Sequence, residues 1–506
     1  MEQFLSSLSG GVLVLADPYV WLLLVIGTML GVVVGALPGI GATVAYGLVL
    51  PFTYFMGPVP AVAFLLSIAV GNQFGNSIPA ILIGLPGSPA TILTVADGFA
   101  LHKKGETGLA LGIAYLAALG GQAVSILFFV ALVVPLAGLT YVFLAPELFS
   151  LYVLGMVSIV SLTGKSIPKG FVAATFGLLI GVVGLDPVTL SPRFDFGTRV
   201  LRNGLDVEPV VIGLLAVSEL FRQARQTFQW SEVSGNLVAR FPSWAQIKRC
   251  IPPMFIGTVT GTFIGAVPGA GTTPAALISY QQARLVSRKP EEFGKGSIEG
   301  IAANESAQNA ANSGELIPTL GLGLPVSGTA VLLLSALTMQ GMVPGPSLVS
   351  RSPQLLAAAV AGLLGGTLIL VFTGWWLSRS MMRVATVNRS AVIILCLAIV
   401  MLGIFALERQ IFDVWVCLTC GVIGYFMARY GYSVAAAALA AILASEFERT
   451  LRQGLNLFDN DFVLFLSRPI AGTIIFASLV ILLLGILRLR RERRSALASP
   501  ARILEE

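Results

Sequence analysis

The chain has 506 residues, of which 56% are hydrophobic and only 11% are charged, and its mean hydropathy is +0.88. Soluble globular chains carry roughly 25% charged residues, so this composition excludes a soluble globular protein. The net charge of +6 comes from Lys and Arg that flank apolar runs, and it therefore indicates no nucleic-acid partner. The sequence predicts an all-α polytopic protein embedded in a lipid bilayer.

Apolar runs along the chain predict about ten to twelve membrane-spanning helices, several of them short or interrupted, because a helix needs about 20 apolar residues to cross a bilayer. The first ten residues, MEQFLSSLSG, contain no Lys or Arg and lack the basic start of a cleavable signal peptide. The basic run LRLRRERR at residues 487–494 predicts a cytoplasmic C-terminus, because cytoplasmic loops are enriched in Lys and Arg.

Two segments in the first half of the chain interrupt apolar runs with Pro and Gly. They are GALPGIGAT at residues 35–43 and GNSIPAILIGLPGSPA at residues 75–90. Pro removes a backbone donor and Gly adopts dihedral angles that other residues avoid, so each segment predicts a broken helix or a re-entrant hairpin. Such a break persists in a bilayer only where protein or a water-filled cavity satisfies the freed backbone groups.

Both segments recur in the second half, as GAVPGAGTT at residues 265–273 and GELIPTLGLGLPVSGT at residues 314–329. The matched residues of the first pair, 230 positions apart, are Gly27, Gly31, Gly35, Pro38, Gly39, Gly41 and Thr43 with Gly257, Gly261, Gly265, Pro268, Gly269, Gly271 and Thr273. The second pair is 239 positions apart, and a longer polar loop around residues 288–296 accounts for the difference. Two motifs in the same order indicate an internal duplication, whereas the GxxxG runs by themselves favour close helix packing.

The charges of equivalent loops predict that the two repeats are inverted. In the first copy, residues 52–60 hold no Lys or Arg, whereas residues 98–106 hold two Lys. In the second copy, residues 284–295 hold four Lys or Arg, whereas residues 341–353 hold one Arg. Equivalent loops with opposite charge bias should lie on opposite sides of the membrane.

These observations divide the chain into five predicted parts. They are a first repeat at 1–221, a polar cytoplasmic linker at 222–249, a second repeat core at 250–390, additional scaffold spans at 391–490 and a basic cytoplasmic tail at 491–506. The linker is the longest polar stretch and is net basic. Its composition is compatible with an amphipathic surface helix that holds Phe228, Trp230 and Trp244 at the membrane interface.

Paired interruptions at corresponding positions of two repeats are the best pointer in a sequence to the binding site of a transporter. The N-termini of half-helices offer free N–H groups and a positive dipole end to an anion, and unwound carbonyls can hold a cation such as Na⁺. None of the four motifs contains Arg, so N–H groups, hydroxyls and amides would hold the anion. The predicted substrate-binding residues are Pro38, Gly39, Gly41, Thr43, Asn76, Ser77, Ser88, Pro268, Gly269, Gly271, Thr272, Thr273 and Ser327.

The predicted ion-coupling residues are Asn72, Asn304, Glu305, Asn309 and Asn312. Asn304, Gln308 and Asn312 share one helix face, because they are spaced at i, i+4 and i+8. A polar face on a membrane helix should meet a partner or a cavity. Two readings of Glu305 and Asp97 stay open, since both are either coupling carboxylates or interfacial residues that cap helices.

Other residues that often carry chemistry do not form a site of their own in this sequence. The chain has one His, His102, in a basic loop, and Cys417 and Cys420 form a CxxC inside an apolar run. A redox or metal site needs further partners, and catalysis in the membrane needs a His/Asp, Ser/Lys or metal constellation. We therefore predict no enzyme and no cofactor, with Na⁺ or H⁺ as the coupling ion. We expect Glu315, which lies in the fourth motif just before its IPxxLxGLP sequence, near the mouth of the cavity.

The motifs resemble those of the large membrane subunit of the tripartite tricarboxylate transporter family. GALPGIGAT, GNSIPAILIGLPGSPATILTVADG and GIAANESAQNAANSGELIPTLGLGLP are similar to characteristic blocks of that subunit. The resemblance covers residues 15–480 and is most specific at residues 27–115 and 255–345. Residues 304–312 follow the Asn-rich run of the family only in part.

The resemblance implies a transport path that works beside a small membrane subunit of about four spans and a periplasmic solute-binding protein, in the bacterial inner membrane. It implies import of tricarboxylates such as citrate, or of related carboxylates, driven by a Na⁺ or H⁺ gradient through alternating access. The sequence has no GxxxxGK[ST] phosphate loop, which agrees with a transporter that does not use ATP. The alternatives are a stand-alone ion-coupled secondary transporter without a binding protein, a channel, and an intramembrane enzyme.

Overall fold

The computed structural model describes residue 10 and residues 12–39, 41–138, 142–163, 166–186, 189, 191–202, 204–225, 241–342, 352–380 and 389–498. These residues are mainly helical, with one short antiparallel strand pair, β1 (Gly184–Leu185) and β2 (Pro192–Arg193). Seven of their helices are long and apolar enough to cross a membrane, by length and composition, and four shorter apolar helices accompany them. The predicted all-α polytopic membrane fold is confirmed.

The first repeat is built from interrupted helices that lead into one long helix. Its helices are α1 (Pro18–Gly35), α2 (Ala42–Thr53), α3 (Pro58–Gly75), α4 (Ser77–Leu82), α5 (Ile92–Thr94), α6 (Ala100–Lys103) and α7 (Thr107–Gly138). Two 3₁₀ turns (Tyr54–Met56 and Pro89–Thr91) and a π turn (Val95–Phe99) join them. The breaks fall at the predicted Pro and Gly motifs, between α1 and α2 and again after α4.

A group of shorter helices follows the first repeat. These are α8 (Ala145–Thr163), α9 (Ile167–Val182), α10 (Arg199–Arg202), α11 (Val207–Ile212) and α12 (Ser218–Ala224), with a π turn (Gly213–Val217) between the last two. Residues 226–240, including Phe228 and Trp230 of the predicted surface helix, lie outside the described part of the chain. Trp244 is exposed and begins the next helix.

The second repeat has the same order of elements as the first. Its helices are α13 (Trp244–Gly265), α14 (Thr272–Val286), α15 (Ile298–Leu322), α16 (Gly328–Met339) and α17 (Gln354–Ser380), with a 3₁₀ turn at Pro290–Glu292. The last helices are α18 (Arg389–Glu408), α19 (Ile411–Arg429), α20 (Val434–Leu457), α21 (Phe462–Ser467) and α22 (Pro469–Ala498). The predicted tail beyond residue 498 lies outside the described residues.

Stripes of glycine bring the first and third helices of each repeat into backbone contact. A Cβ added to Gly31 on α1 would lie 2.2 Å from the carbonyl oxygen of Ile68 on α3. In the second repeat, a Cβ added to Gly261 on α13 would lie 2.3 Å from the carbonyl oxygen of Ala307 on α15. The GxxxG runs therefore serve close helix packing, as the sequence favoured.

The two repeats exchange contacts reciprocally. Helix α3 of the first repeat packs on α17 of the second, and α15 of the second packs on α7 of the first. Lys104 Nζ donates to the carbonyl of Lys295 at 2.7 Å, so the two basic loops meet. Gln340 Nε2 donates to the carbonyl of Thr53 at 3.2 Å, so the other two loops meet as well. This pairing agrees with inverted repeats, because it places both basic loops on one side of the membrane.

The helices that follow α7 and α17 pack on one another. Helix α20 packs on α8 and α9, and α22 packs on α8. Ion pairs join these helices: Arg193 binds Glu448 with both terminal guanidinium nitrogens, at 2.8 and 2.9 Å, and Arg468 Nε donates to Glu147 at 2.5 Å. The five-part division of the chain stays a prediction.

Replacing Gly261 with Ala should destabilise the folded protein, because the new methyl group overlaps the backbone of Ala307. Overpacking of this kind costs about 1–3 kcal/mol. The measurement is the thermal midpoint of the purified protein in detergent, followed by size-exclusion chromatography. Gly120→Ala on α7 is the matched control, because a Cβ there meets no atom within 4 Å. Equal midpoints for the two variants would contradict the packing argument.

Candidate substrate and ion site

The two PGxG motifs lie in turns between helices. We name the described residues 36–39 and 41, and residues 266–271, the two PGxG tips. Gly39 and Gly269 have φ angles of 80° and 78°, and Gly271 has a φ of 67°. Such left-handed backbone is readily available only to Gly. Gly41 has an ordinary φ of −83°, so the two tips differ at this position. The Gly269 N–H donates to the carbonyl of Val326 at 3.1 Å, which ties its tip to the break after α15.

A polar cavity of about 340 Å³ lies between the two PGxG tips and the two later breaks. Most of the predicted substrate-binding residues line it, namely Gly41, Thr43, Asn76, Ser88, Gly269, Gly271, Thr272, Thr273 and Ser327. Two predicted ion-coupling residues, Asn72 and Asn312, also line it, together with Gln73, Glu315 and Thr329. The structure therefore brings together, in one place, residues that are up to 288 positions apart in the sequence.

The remaining predicted residues lie outside this cavity. They are Pro38, Gly39, Ser77, Pro268, Asn304, Glu305 and Asn309. Gly39 lines a neighbouring cavity instead, and the others hold the surrounding helices in place or support the turns. The roles assigned to all these residues stay predictions.

Helix N-termini converge on the cavity. Helices α2 and α14 begin at Ala42 and Thr272, and no side chain caps either of them. Helix α16 begins at Gly328, where Ser327 Oγ accepts from the Ala330 N–H at 3.1 Å. Each uncapped N-terminus carries free N–H groups and a partial positive charge of about half a unit. Together they make this cavity suitable for an anion.

Several amide groups on the cavity wall have no hydrogen-bond partner in the protein. Among the described residues, they are Nδ2 of Asn72, Oδ1 of Asn76 and Nδ2 of Asn312. Ser88 Oγ instead caps the 3₁₀ turn at Pro89–Thr91. The Asn76 side chain does use its other end, since Nδ2 donates to Oδ1 of Asn72 at 3.3 Å. A buried polar group without a partner costs about 1–3 kcal/mol, so water or a ligand in the cavity would be stabilised by pairing with these atoms.

Glu315 is the carboxylate on the cavity wall. Its side chain accepts a hydrogen bond from Thr329 Oγ1 at 3.1 Å, and Thr329 is in turn 2.8 Å from Ser327 Oγ. Among the described residues, no Lys or Arg lines this cavity. The sequence placed Glu315 at the mouth without naming it as a site residue. The alignment of the repeats could have identified Glu315 as a site residue. When GELIP is aligned with GNSIP, Glu315 occupies the position of Asn76, a predicted substrate-binding residue.

Glu305 belongs to a different, closed network that joins the two repeats. Its carboxylate accepts from the hydroxyls of Ser77 and Thr94 in the first repeat. Asn304 Nδ2 donates to Thr94 Oγ1 at 2.7 Å, and Asn309 Nδ2 donates to the carbonyl of Glu305 at 2.9 Å. The bonds of Glu305 and Asn304 cross from α15 to the first repeat, so they fix α15 against it.

Asp97 binds the loop that leads into α15, and both readings of this residue stay predictions. Its Oδ1 accepts from the backbone N–H groups of Gly294, Gly296 and Ser297 at 2.7–2.9 Å. Its Oδ2 accepts from the Tyr280 hydroxyl at 2.8 Å. Asp97 thereby holds the basic loop of the second repeat against the first repeat.

A second cavity of about 520 Å³ adjoins the first and shares Gly41, Thr43 and Ser88 with it. Its wall carries Arg222, whose guanidinium binds Glu219 at 2.5 and 2.7 Å. A basic residue therefore lies next to the anion cavity although it lies outside every repeated motif.

These features define a class of protein. Inverted repeats, helices broken at corresponding positions and a polar cavity between the breaks are the architecture of a membrane transporter. Residues 21–440 match the family described as the tripartite tricarboxylate transporter TctA family, and the chain belongs to this family.

Two relatives from Agrobacterium vitis carry this similarity further. The chain is 32% identical, over 97% of its length and 99% of the relative, to a protein named "Uncharacterized 52.8 kDa protein in TAR-I ttuC' 3'region". It is 31% identical, over 46% of its length and 97% of the relative, to an "Uncharacterized protein in TAR-II ttuC' 3'region". No solved structure matches the chain.

Replacing Gly39 or Gly269 with Val should abolish transport while the protein remains in the membrane. Both positions need a left-handed φ that β-branched residues avoid, so the tips cannot close around the cavity. The measurement is substrate uptake by cells, normalised to the amount of protein in the membrane. Gly120→Val on α7, where an added Cβ meets no atom within 4 Å, is the control. Normal uptake by both tip variants would contradict the site.

Proposed function

We propose that this chain is the large permease subunit of a binding-protein-dependent secondary transporter. It imports tricarboxylates such as citrate, or related carboxylates, through alternating access, driven by a Na⁺ or H⁺ gradient. The observation that carries the proposal is the cavity in which the uncapped N-termini of α2 and α14 meet amide groups without a partner and the hydroxyls of several Thr. An anion with several oxygen atoms can accept hydrogen bonds from all of these groups at once.

The size and chemistry of the cavity are compatible with a small carboxylate. A volume of about 340 Å³ is at the lower end for ligand pockets and suits a molecule of the size of citrate. Because the described lining has no Lys or Arg, the substrate is held by dipoles rather than by fixed cations. Dipoles release an anion more readily than an ion pair does, and a transporter must release what it binds.

Alternating access follows from the arrangement of the repeats. Inverted repeats let a transporter open the same central site first to one side and then to the other. The adjoining cavity with Arg222 then provides one route to the site, because it opens beside the tip that carries Gly39. Gln223 Nε2 donates to the carbonyl of Gly39 and, at 2.6 Å, to Glu219. The tip beside this route is therefore held by a side-chain hydrogen bond from Gln223, and Gln223 can exchange one acceptor for the other.

The partners follow from the family. We propose a small membrane subunit of about four spans and a periplasmic solute-binding protein that delivers the carboxylate, with the chain in the bacterial inner membrane and its C-terminus in the cytoplasm. The exposed apolar side chains of α18, α19 and α22, such as Leu395, Trp415 and Phe476, face lipid or the small subunit. The second candidate is a stand-alone ion-coupled transporter that needs no binding protein.

Uptake of labelled citrate tests this proposal, against a panel of di- and monocarboxylates, in cells that carry the chain with its small subunit and binding protein. We expect saturable uptake of a carboxylate that stops when the Na⁺ and H⁺ gradients are both collapsed. Uptake that persists after deletion of the binding protein would favour the stand-alone transporter. Uptake that does not saturate would indicate a channel. No uptake of any carboxylate would reject the proposal.

Replacing Thr273 with Val should weaken carboxylate binding, because the variant keeps the shape of the side chain and removes one hydroxyl from the cavity. One hydrogen bond to a charged partner contributes about 1.5–3 kcal/mol, which corresponds to roughly a 10- to 150-fold rise in the half-saturation concentration. The matched control is Thr373→Val on α17, whose hydroxyl donates to the carbonyl of Ile369 in its own helix at 2.7 Å. Equal half-saturation concentrations for both variants would remove Thr273 from the site.

A further inference from the structure

Glu315 places a negative charge inside a cavity that otherwise suits an anion. A carboxyl group can bind and release a proton, so Glu315 can couple proton movement to substrate movement. We propose that Glu315 carries the proton that accompanies each carboxylate through the transporter. The inference rests on the proposed function and assigns its coupling ion, its coupling residue and a stoichiometry of one proton for this cavity.

The carboxyl group of Glu315 lies where the substrate would bind. Glu315 lines the same cavity as Asn76, Asn312 and the N-terminus of α14, so a bound carboxylate and Glu315 occupy one small space. Two negative charges at such a distance repel each other strongly where little water separates them. Because the described lining offers no Lys or Arg, a proton on Glu315 is the direct way to remove this repulsion.

The hydroxyl groups next to Glu315 favour a proton over a metal ion. Thr329 Oγ1 is 3.1 Å from Glu315 Oε1 and 2.8 Å from Ser327 Oγ, which are hydrogen-bond distances between neighbouring oxygens. These hydroxyls can donate to the ionised carboxylate, and they can accept from the protonated acid after rotating their own hydrogens. A Na⁺ ion would instead need several oxygen atoms with their lone pairs directed at one point. The hydrogen-bonded chain therefore suits a proton.

Glu315 differs from Glu305, another buried carboxyl group on α15, in what it faces. Glu305 accepts from Ser77 and Thr94 and does not line the cavity. A substrate in the cavity therefore makes no contact with it. At the position equivalent to Glu315, the first repeat has Asn76, which cannot titrate. Glu315 is the one carboxyl group on the described lining of this cavity, which gives one proton per substrate.

The surroundings of Glu315 contain few groups that could titrate in its place. Tyr46 on α2 lies close enough to interact electrostatically with Glu315. Four other helices pack near this end of α15, and the residues that they contribute are polar and uncharged. These residues are Asn72 on α3, Gln122 on α7, Thr262 on α13 and Thr329 on α16. Glu219 and Arg222 lie in the adjoining cavity and are paired with each other.

The proton balance of the cycle is simple. A proton from the outer solution binds one carboxylate oxygen of Glu315 when the carboxylate substrate binds. Both cross the protein as the site changes its exposure. The substrate leaves to the inner solution. Glu315 then loses its proton to the same solution, because the substrate's negative charge no longer disfavours the ionised carboxylate. Binding of substrate and binding of the proton favour each other equally, since the coupling of two ligands is reciprocal.

Isothermal titration calorimetry of citrate binding tests the inference, with the purified complex of this chain and its small subunit in Na⁺-free buffer. The range is about pH 8 to 9, far enough above the ordinary carboxyl pKa of about 4 to clear the last ionisation of citrate, which its other two charges raise, so that citrate itself does not titrate. For the wild type we expect the Kd to rise towards tenfold per pH unit and about one proton to be taken up per citrate. Glu315→Gln should bind citrate with a Kd that does not change with pH.

Two further variants make the result specific. Glu305→Gln on the same helix is the matched control and should keep the pH dependence of the wild type. Glu315→Asp retains a titratable group and should keep uptake of one proton, which covers the case in which the Gln variant does not fold. Proton uptake that persists in Glu315→Gln, or that disappears in Glu305→Gln alone, would overturn the assignment of Glu315.

Two results with the wild type separate this inference from the proposed function. Citrate binding that is independent of pH and needs added Na⁺ would overturn the proton assignment and leave the carboxylate transporter intact. Absence of binding and of uptake for every carboxylate in the panel would overturn the proposed function, and the inference with it.

Discussion

The bilayer offers no hydrogen-bond partners, and the position of α15 follows from that constraint. Asn304, Gln308 and Asn312 lie along one face of this helix and are at most 2% exposed. Facing lipid, such amides would cost several kcal/mol each. The helix is therefore enclosed by α7, α13, α14 and the broken segments of the first repeat, and the most polar long helix of the repeats becomes the most buried one.

Enclosing a polar helix requires neighbours that approach closely, and the glycine stripes permit this. Gly257, Gly261 and Gly265 bring α13 onto the backbone of α15, and the equivalent stripe on α1 does the same for α3. The PGxG tips then end α1 and α13 beside the cavity, where the Gly269 N–H is satisfied by the carbonyl of Val326. The same arrangement turns the N-termini of α2 and α14 towards one cavity, so packing and the site have a common cause.

The two repeats share a frame but differ in chemistry where they meet. Asn76 and Glu315 occupy equivalent positions of the two copies and both line the cavity. The first copy also supplies Ser77 and Thr94 to Glu305, a contact that has no counterpart among the described residues of the second copy. Two repeats with the same backbone arrangement but different side chains can bind a substrate on one side and a coupling ion on the other. A fully symmetric site would offer the same groups to both.

The sequence by itself determined the class of fold, the duplication, the positions of the breaks and, through loop charges, the inverted sense of the repeats. Each of these depends on composition or local backbone chemistry, such as the left-handed φ that Gly39 and Gly269 adopt. Only the tertiary structure decided which polar residues reach the cavity. Glu305 and Glu315 both lie on α15 and look alike in sequence, yet one is closed off by Ser77 and the other is open. That difference depends on contacts between segments more than 200 positions apart, which local sequence does not encode.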